Sequence, residues 1–130
     1  MNIGLLEDNS TIVTLITTML EMAGHHVFAY TEGRSLLETV FGAPVSYDVL
    51  IIDLGLPGEL SGFDVIHAIK QTNPADGVPI IVVSGAGQHE LMRVQTHHPE
   101  VSIVRKPFSM RSLLLLIEQR KKNSGAGPVC

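Results

Sequence analysis

The chain has 130 residues, 45% hydrophobic and 17% charged, with a formal net charge of -4. That length and composition suit one globular domain with a sizeable core and exclude a disordered chain. The acidic balance argues against a direct nucleic-acid contact, and apolar runs such as residues 113–117 are far too short to span a bilayer.

The N-terminal MNIGLLED has no basic stretch ahead of an apolar one, so no secretion signal is read there. Residues 2–8 read as a strand, followed by a helix over 10–23. Ser10 is placed to cap it, Ile12, Leu15, Ile16, Met19 and Leu20 form its apolar stripe, and Gly24 suits a left-handed stop. HVFAY, 26–30, is a second strand, and 34–41 a second helix stopped by Gly42 and Pro44. The run 47–53 is a third strand, and 63–71 a helix ended by Asn73-Pro74. PIIVVS, 79–84, is the fourth strand, with a helix centred on 90–95 behind it. VSIVRK, 101–106, is the fifth, and 110–122 the last helix, with Arg120, Lys121 and Lys122 where a helix dipole favours cations. The remaining NSGAGPVC has linker composition. Its Cys130 is the only cysteine, which rules out an internal disulfide and fits a reducing cytoplasm.

Strict alternation of apolar strands and helices implies an α/β fold, a parallel sheet covered on both faces. Right-handed crossovers bring every strand's carboxyl end to one edge, where ligands bind in such sheets. On that edge stand Glu7 and Asp8, Asp53, Ser84 and Lys106. Like charges about 4 Å apart cost roughly 4 kcal/mol per pair at an effective dielectric near 20, so three carboxylates need a cation or raised pKa values. An all-oxygen set suits Mg²⁺ better than zinc or copper. With Lys106 it suits a phosphoryl group, which the cations neutralise while a carboxylate attacks phosphorus.

These residues carry a resemblance. Glu7-Asp8, the D-L-G-L-P run at 53–57, Ser84-Gly85-Ala86 and the K-P-F run at 106–108, each closing its expected strand, resemble the receiver domain of two-component response regulators. The resemblance covers residues 1–122 and leaves 123–130 as a tail or linker. It implies a flavodoxin-like, doubly wound five-stranded sheet of order 2-1-3-4-5 with five helices. It implies that Asp53 is the phosphoacceptor in a phosphorelay, taking its phosphoryl group from a histidine kinase or a histidine phosphotransfer protein. Glu7, Asp8, Asp53 and the backbone carbonyl of Gly55 would hold Mg²⁺, directly or through water. Ser84 and Lys106 would bind phosphoryl oxygens, Ser84 shifting on activation, and Pro107 would follow a cis peptide. The fourth helix, fifth strand and fifth helix would form the surface for a homodimer or an effector, with Ile103 and Leu115 on it.

The sequence also departs from the family pattern. The glycine expected eight residues past the phosphoacceptor comes nine past it, at Gly62, so the loop carries one extra residue. Ile103 stands where many receivers place an aromatic that swings inward on activation. Gly55 has no side chain to orient a water, and it stands where a haloacid dehalogenase-like phosphatase would need a second acid. A pseudo-receiver that binds a partner without phosphorylation is the third reading. The histidines, His25-His26, His67 and His97-His98 among them, read as surface or turn residues, because adjacent helix positions do not face each other. Helical spacing turns Leu113, Leu116 and Ile117 inward, Leu115 outward, and leaves Leu114 at the margin.

Overall fold

Five short strands pair in parallel, and the three central ones are buried on both faces, which explains why their sequences run apolar without alternating polar positions. The computed structural model describes residues 1–42, 46–55, 60–72, 78–85 and 88–126. The strands are β1 (Asn2–Leu6), β2 (His26–Tyr30), β3 (Val49–Ile52), β4 (Ile80–Ser84) and β5 (Ser102–Arg105), in the order β2-β1-β3-β4-β5. The helices are α1 (Ser10–Met22), α2 (Gly33–Gly42), α3 (Gly62–Thr72), α4 (Gln88–His97) and α5 (Met110–Ala126). Pro44, Leu56-Pro57, Asn73-Pro74, Ala86 and Cys130 lie outside the described residues.

Successive strand residues point to opposite faces, so the core divides in two. Leu6, Leu50, Ile52, Ile80 and Val82 pack with Leu36 of α2, Val65, Ile66 and Ile69 of α3, and Leu91 and Val94 of α4. Ile3, Leu5, Val49, Ile51, Ile81 and Val83 pack with Ile16 and Leu20 of α1 and Leu113 and Ile117 of α5. Register carries Leu6 beside Ile52, Ile52 beside Val82 and Val82 beside Ile103, a single apolar row across the sheet. Glu7 and Asp53 follow this row directly, while β4 and β5 run on to Ser84 and Arg105 before Lys106. Between β1 and β3 the strand order reverses, which opens a crevice there.

Several boundaries differ from the sequence reading. The first and third strands stop at Leu6 and Ile52, one or two residues short of the reading, although the Glu7 and Asp53 N–H groups still bond to the neighbouring strands. Asn9, not Ser10, caps α1: its side-chain oxygen accepts the Thr11 and Ile12 N–H groups at 3.0 and 3.2 Å. The α1 stripe centres on Ile16 and Leu20 with Ile12 and Val13 beside them, while Leu15, about a quarter turn away, is 48% exposed. Gly24 takes φ 93° after the Ala23 cap, as a left-handed stop requires. The last helix runs to Ala126, past Arg120 to Lys122, so those cations do not occupy its final turn. Nothing in Asn123 to Ala126 forbids helical dihedrals; the first proline after Lys122 is Pro128.

Gly62 opens α3 hard against the end of β3. A Cβ there would overlap the Asp53 carbonyl oxygen and stand 2.7 Å from Leu54 Cα. The one-residue longer loop therefore still returns a glycine to the point of close approach. Gly62→Ala is expected to destabilise the domain by about 1–3 kcal/mol, the usual range for forced overpacking against backbone. Urea denaturation measures this, and an unchanged midpoint would show that α3 is not seated on β3 through this contact.

Candidate functional site

Each group at the carboxyl edge is placed by a backbone bond that prolongs the sheet. Glu7 N–H donates to the Tyr30 carbonyl at 3.0 Å, and Asp53 N–H donates to the Leu6 carbonyl at 3.0 Å. Lys106 N–H donates to the Ser84 carbonyl at 2.9 Å, and the Lys106–Pro107 peptide is cis. Backbone pairing thus delivers residues from four separate strand ends to one crevice.

The side chains then meet. Lys106 Nζ donates to Glu7 Oε1 at 2.6 Å and lies 3.5 Å from Asp53 Oδ2. The other Glu7 oxygen accepts the Asp8 N–H at 3.1 Å, and Asp53 Oδ1 accepts the Gly55 N–H at 3.2 Å. Carboxylate oxygens of Glu7, Asp8 and Asp53 all lie within 4.8 Å of one another. Glu7 is 2% exposed and Asp53 6%, whereas Asp8 faces solvent. The cluster is therefore buried on the Glu7 side and open on the Asp8 side.

Electrostatics follow from that burial. Glu7 is pushed up to about 7, first by desolvation and then by its hydrogen bond to Asp53 and the Asp53 charge, against the opposing pull of Lys106. Burial works to lower the Lys106 pKa, but the Glu7 hydrogen bond and the Asp53 and Glu7 charges outweigh it and leave the ammonium above its ordinary value. Lys106 stays charged and Glu7 is close to sharing its proton with solvent. Hard oxygen donors, mutual repulsion and one open side fit a divalent cation such as Mg²⁺.

The sequence-chosen residues come together in part. Glu7, Asp8, Asp53 and Lys106 converge, and Ser84, 1% exposed, joins them through the Lys106 backbone bond. Gly55 contributes its N–H to Asp53. Ile103 and Leu115 lie elsewhere: Ile103 is half-buried against the face under α2, α3 and α4, and Leu115 on α5 is 57% exposed. Leu113 and Ile117 are buried and Leu114 is half-buried, as helical spacing implied.

The histidine reading needs correction. His25 and His98 are buried and His67 is half-buried. His98 Nε2 is 3.3 Å from His67 Nδ1, an approach across 31 residues that no local spacing could signal. His25 lies 3.3 Å from the Met1 ammonium and 3.4 Å from Glu118 of α5, which draws it under the end of the chain.

A family model described as the response regulator receiver domain matches residues 3–118. Response regulator RR06 of Streptococcus pneumoniae is 31% identical over 121 residues, which are 93% of this chain and 52% of that protein. The putative response regulator NtrX-like of Rickettsia typhi is 27% identical over 92% of this chain, but 24% of its own length. The chain thus spans about half or less of these relatives. Among solved structures, a response regulator receiver domain protein from Clostridium thermocellum superposes with a TM-score of 0.80 at 26% identity, over 95% of this chain and 96% of that one. A CheY-like receiver from Methanospirillum hungatei JF-1 reaches 0.83 at 20% identity over 97% and 98%, a likeness of fold.

The Glu7 shift sets a pH dependence. Between 4.5 and about 7 the folded, metal-free protein holds a proton on Glu7 that the unfolded chain has released. This contribution to stability is present at low pH and lost as pH rises through that window. Glu7→Gln removes the titration, so its thermal midpoint should match wild type near pH 4.5 and exceed it by a few degrees near 7.5. A midpoint difference that stays flat, or changes the other way, would assign the shift to other groups.

Proposed function

The chain belongs to the response regulator receiver domain family, whose members are phosphoacceptor switches served by histidine kinases, and from that premise we propose that Asp53 accepts a phosphoryl group in a Mg²⁺-dependent reaction. The donor is a histidine kinase or a histidine phosphotransfer protein, and the output is a changed protein contact. The observation that carries this reading is the position of Asp53: a carboxylate 3.5 Å from an ammonium and beside two further acids, at the strand-order reversal.

The residues divide the work. The Gly55 N–H fixes Asp53 Oδ1, which limits the rotation of the nucleophile. An Asp53 oxygen forms the new bond to phosphorus as the donor's phosphorus–nitrogen bond breaks, and the imidazole leaves with a proton from solvent. Glu7, Asp8, Asp53 and the Gly55 carbonyl would hold Mg²⁺, which supplies positive charge to the phosphoryl oxygens when bound. In the metal-free protein Lys106 neutralises Glu7 at 2.6 Å. With a cation held by the carboxylates, Lys106 would no longer be needed to neutralise Glu7 and would pair with a phosphoryl oxygen. Ser84 gives its hydroxyl to another phosphoryl oxygen, and the shift passes into the connection to α4.

Signal leaves through α4, β5 and α5. Met92 on α4, 54% exposed, and Leu115 on α5 offer apolar contact there to a second copy or an effector. Ile103 takes the place of the family's aromatic, so the response rests on Ser84 and α4. The proposed domain is residues 1–122, with 123–130 as a tail or linker. We place it in the cytoplasm, as a switch rather than a turnover enzyme, its own residues catalysing phosphorylation and hydrolysis. No helix among the described residues is long and apolar enough to cross a membrane. With a net charge of -4, direct contact with nucleic acid is assigned to a partner or another segment.

Intact mass after incubation with Mg²⁺ and a small phosphoryl donor or the cognate kinase should show one labile phosphoryl addition, absent in Asp53→Asn. Uptake by that variant at the wild-type rate would move the nucleophile elsewhere. Mg²⁺ at ten times its dissociation constant should add about 1.4 kcal/mol of stability, and no shift in thermal midpoint at millimolar Mg²⁺ would count against the carboxylate site. Ser84→Ala should still accept the phosphoryl group but show a smaller change in α4. An equal change in both proteins would clear Ser84 of a switching role.

A further inference from the structure

Far from the carboxylates, α3 and the end of α4 are joined by aromatic and titratable groups that the proposed phosphorylation does not use. His67 Nδ1 on α3 is 3.3 Å from Nε2 of His98, the residue that follows α4. The His67 and Phe63 rings stack at 5.8 Å and 12°, the His97 ring meets Phe63 edge-on, and Arg93 lies 4.0 Å over the Phe63 centroid. Among the described residues, Glu100 brings the negative charge: its carboxylate lies 4.0 Å from His98 Nδ1 and 3.3 Å from Lys70 Nζ. Asp64, on the same helix as His67, is turned away to the Ser61 N–H. The groups acting on the pair among the described residues are thus Lys70 from α3, His97 from α4 and Glu100 from the turn beyond, with Arg93 of α4 over the neighbouring Phe63 ring.

We propose that the His67–His98 pair is a proton-operated clasp between α3 and α4, closed when at least one ring is neutral and opened when both carry a proton. The geometry assigns the tautomers. Glu100 faces His98 Nδ1 and favours a proton there, which leaves Nε2 to accept from His67 Nδ1–H. Adding one proton to the pair still leaves one donor and one acceptor. A second proton sets N–H against N–H at hydrogen-bond distance, in a site that already holds Lys70. Burial is the main force resisting that proton on His98, with His67, Lys70 and His97 adding repulsion and Glu100 opposing them.

The clasp matters because of what its two helices are tied to. Helix α3 begins at Gly62, seated on the Asp53 and Leu54 backbone, and Phe63 of the clasp is the next residue. Helix α4 follows Ser84 along the chain, and its far end is held by His98. A shift of α4 then strains or releases the pair, and protonation of the pair loosens α4. Linkage makes the two effects reciprocal. The clasp stands on the geometry alone; only its coupling to Asp53 rests on the phosphoacceptor reading.

The test is a pH titration of the whole chain, from about 8 to about 5, following side-chain nitrogen resonances by NMR. Neutral His98 should report the Nδ1–H tautomer, and the two rings should titrate as one interacting pair. Amides of α4 should exchange with solvent about tenfold faster once both rings are charged, after correction for intrinsic rates. His98→Gln, which keeps a hydrogen-bonding side chain but cannot titrate, should abolish that acceleration. Independent titration of the rings with no change in α4 exchange, or the same acceleration in His98→Gln, would overturn the clasp. A second arm adds Mg²⁺ and beryllofluoride, a phosphoryl mimic, which should move the midpoint of the pair. If the mimic fails to bind, the Asp53 reading is at fault; if it binds and the midpoint does not move, the coupling fails.

Discussion

Glu7 and Lys106 meet at 2.6 Å although 99 positions separate them in sequence, and the carboxyl edge of the sheet is organised around that contact. Without the ammonium, nothing would oppose the burial and the Asp53 charge that raise the Glu7 pKa, and Glu7 could not stay ionised beside Asp53. With it, the triad still carries excess negative charge, and burial pushes Glu7 to about 7. The folded state thus tolerates the cluster only in part. That unfinished neutralisation makes the crevice receptive to a cation: an ion that binds the folded state alone relieves repulsion already built in. A site with its charges fully balanced would gain much less from a metal.

The same edge also explains how a local event reaches a distant surface. Lys106 N–H is bonded to the Ser84 carbonyl, so the last turns of β4 and β5 are coupled directly behind the ammonium. Gly62 presses α3 against the Asp53 carbonyl with no room for a methyl group. Helix α3 therefore presses on Asp53 and α4 follows Ser84, and the His67–His98 contact joins the middle of α3 to the end of α4. Closely packed interiors respond to small displacements by moving elements rather than by compressing. Helix α4 seats Leu91 and Val94 in the core and exposes Met92.

Much of this was legible in the sequence because strand ends are legible. Apolar runs that stop abruptly at Glu7, Asp53, Ser84 and Lys106 can be read without knowing which strands are neighbours, since parallel sheets send every carboxyl end to one edge. What stayed hidden depends on which side chain faces which. Ser10 and Asn9 are both competent caps, and only backbone geometry gives the role to Asn9. Leu15 satisfies a loose helical stripe but falls on the wrong side of its centre. The Tyr30, Tyr47 and Thr39 hydroxyls form a chain of 2.6 and 3.0 Å contacts linking β2, the approach to β3, and α2, from residues with no common motif. His67 and His98 belong to the same class: each is unremarkable in its own segment, and the pair exists only through packing.

Ile103 shows how these constraints combine. Its place in the row with Val82, Ile52 and Leu6 makes it part of the core face under α3 and α4. A β-branched side chain there has few χ1 options, so it fills a fixed volume rather than choosing between two. Receivers that rely on a swinging aromatic at this position store part of their response in one rotamer. Here that store is absent, and the face above it is instead closed by Phe63, His67, Arg93, His97 and His98. Polar aromatic contacts of this kind are weaker than a packed aliphatic core and change with proton occupancy. On the proposed reading, the His67–His98 contact between α3 and α4 is one that can be made and broken without disturbing the sheet.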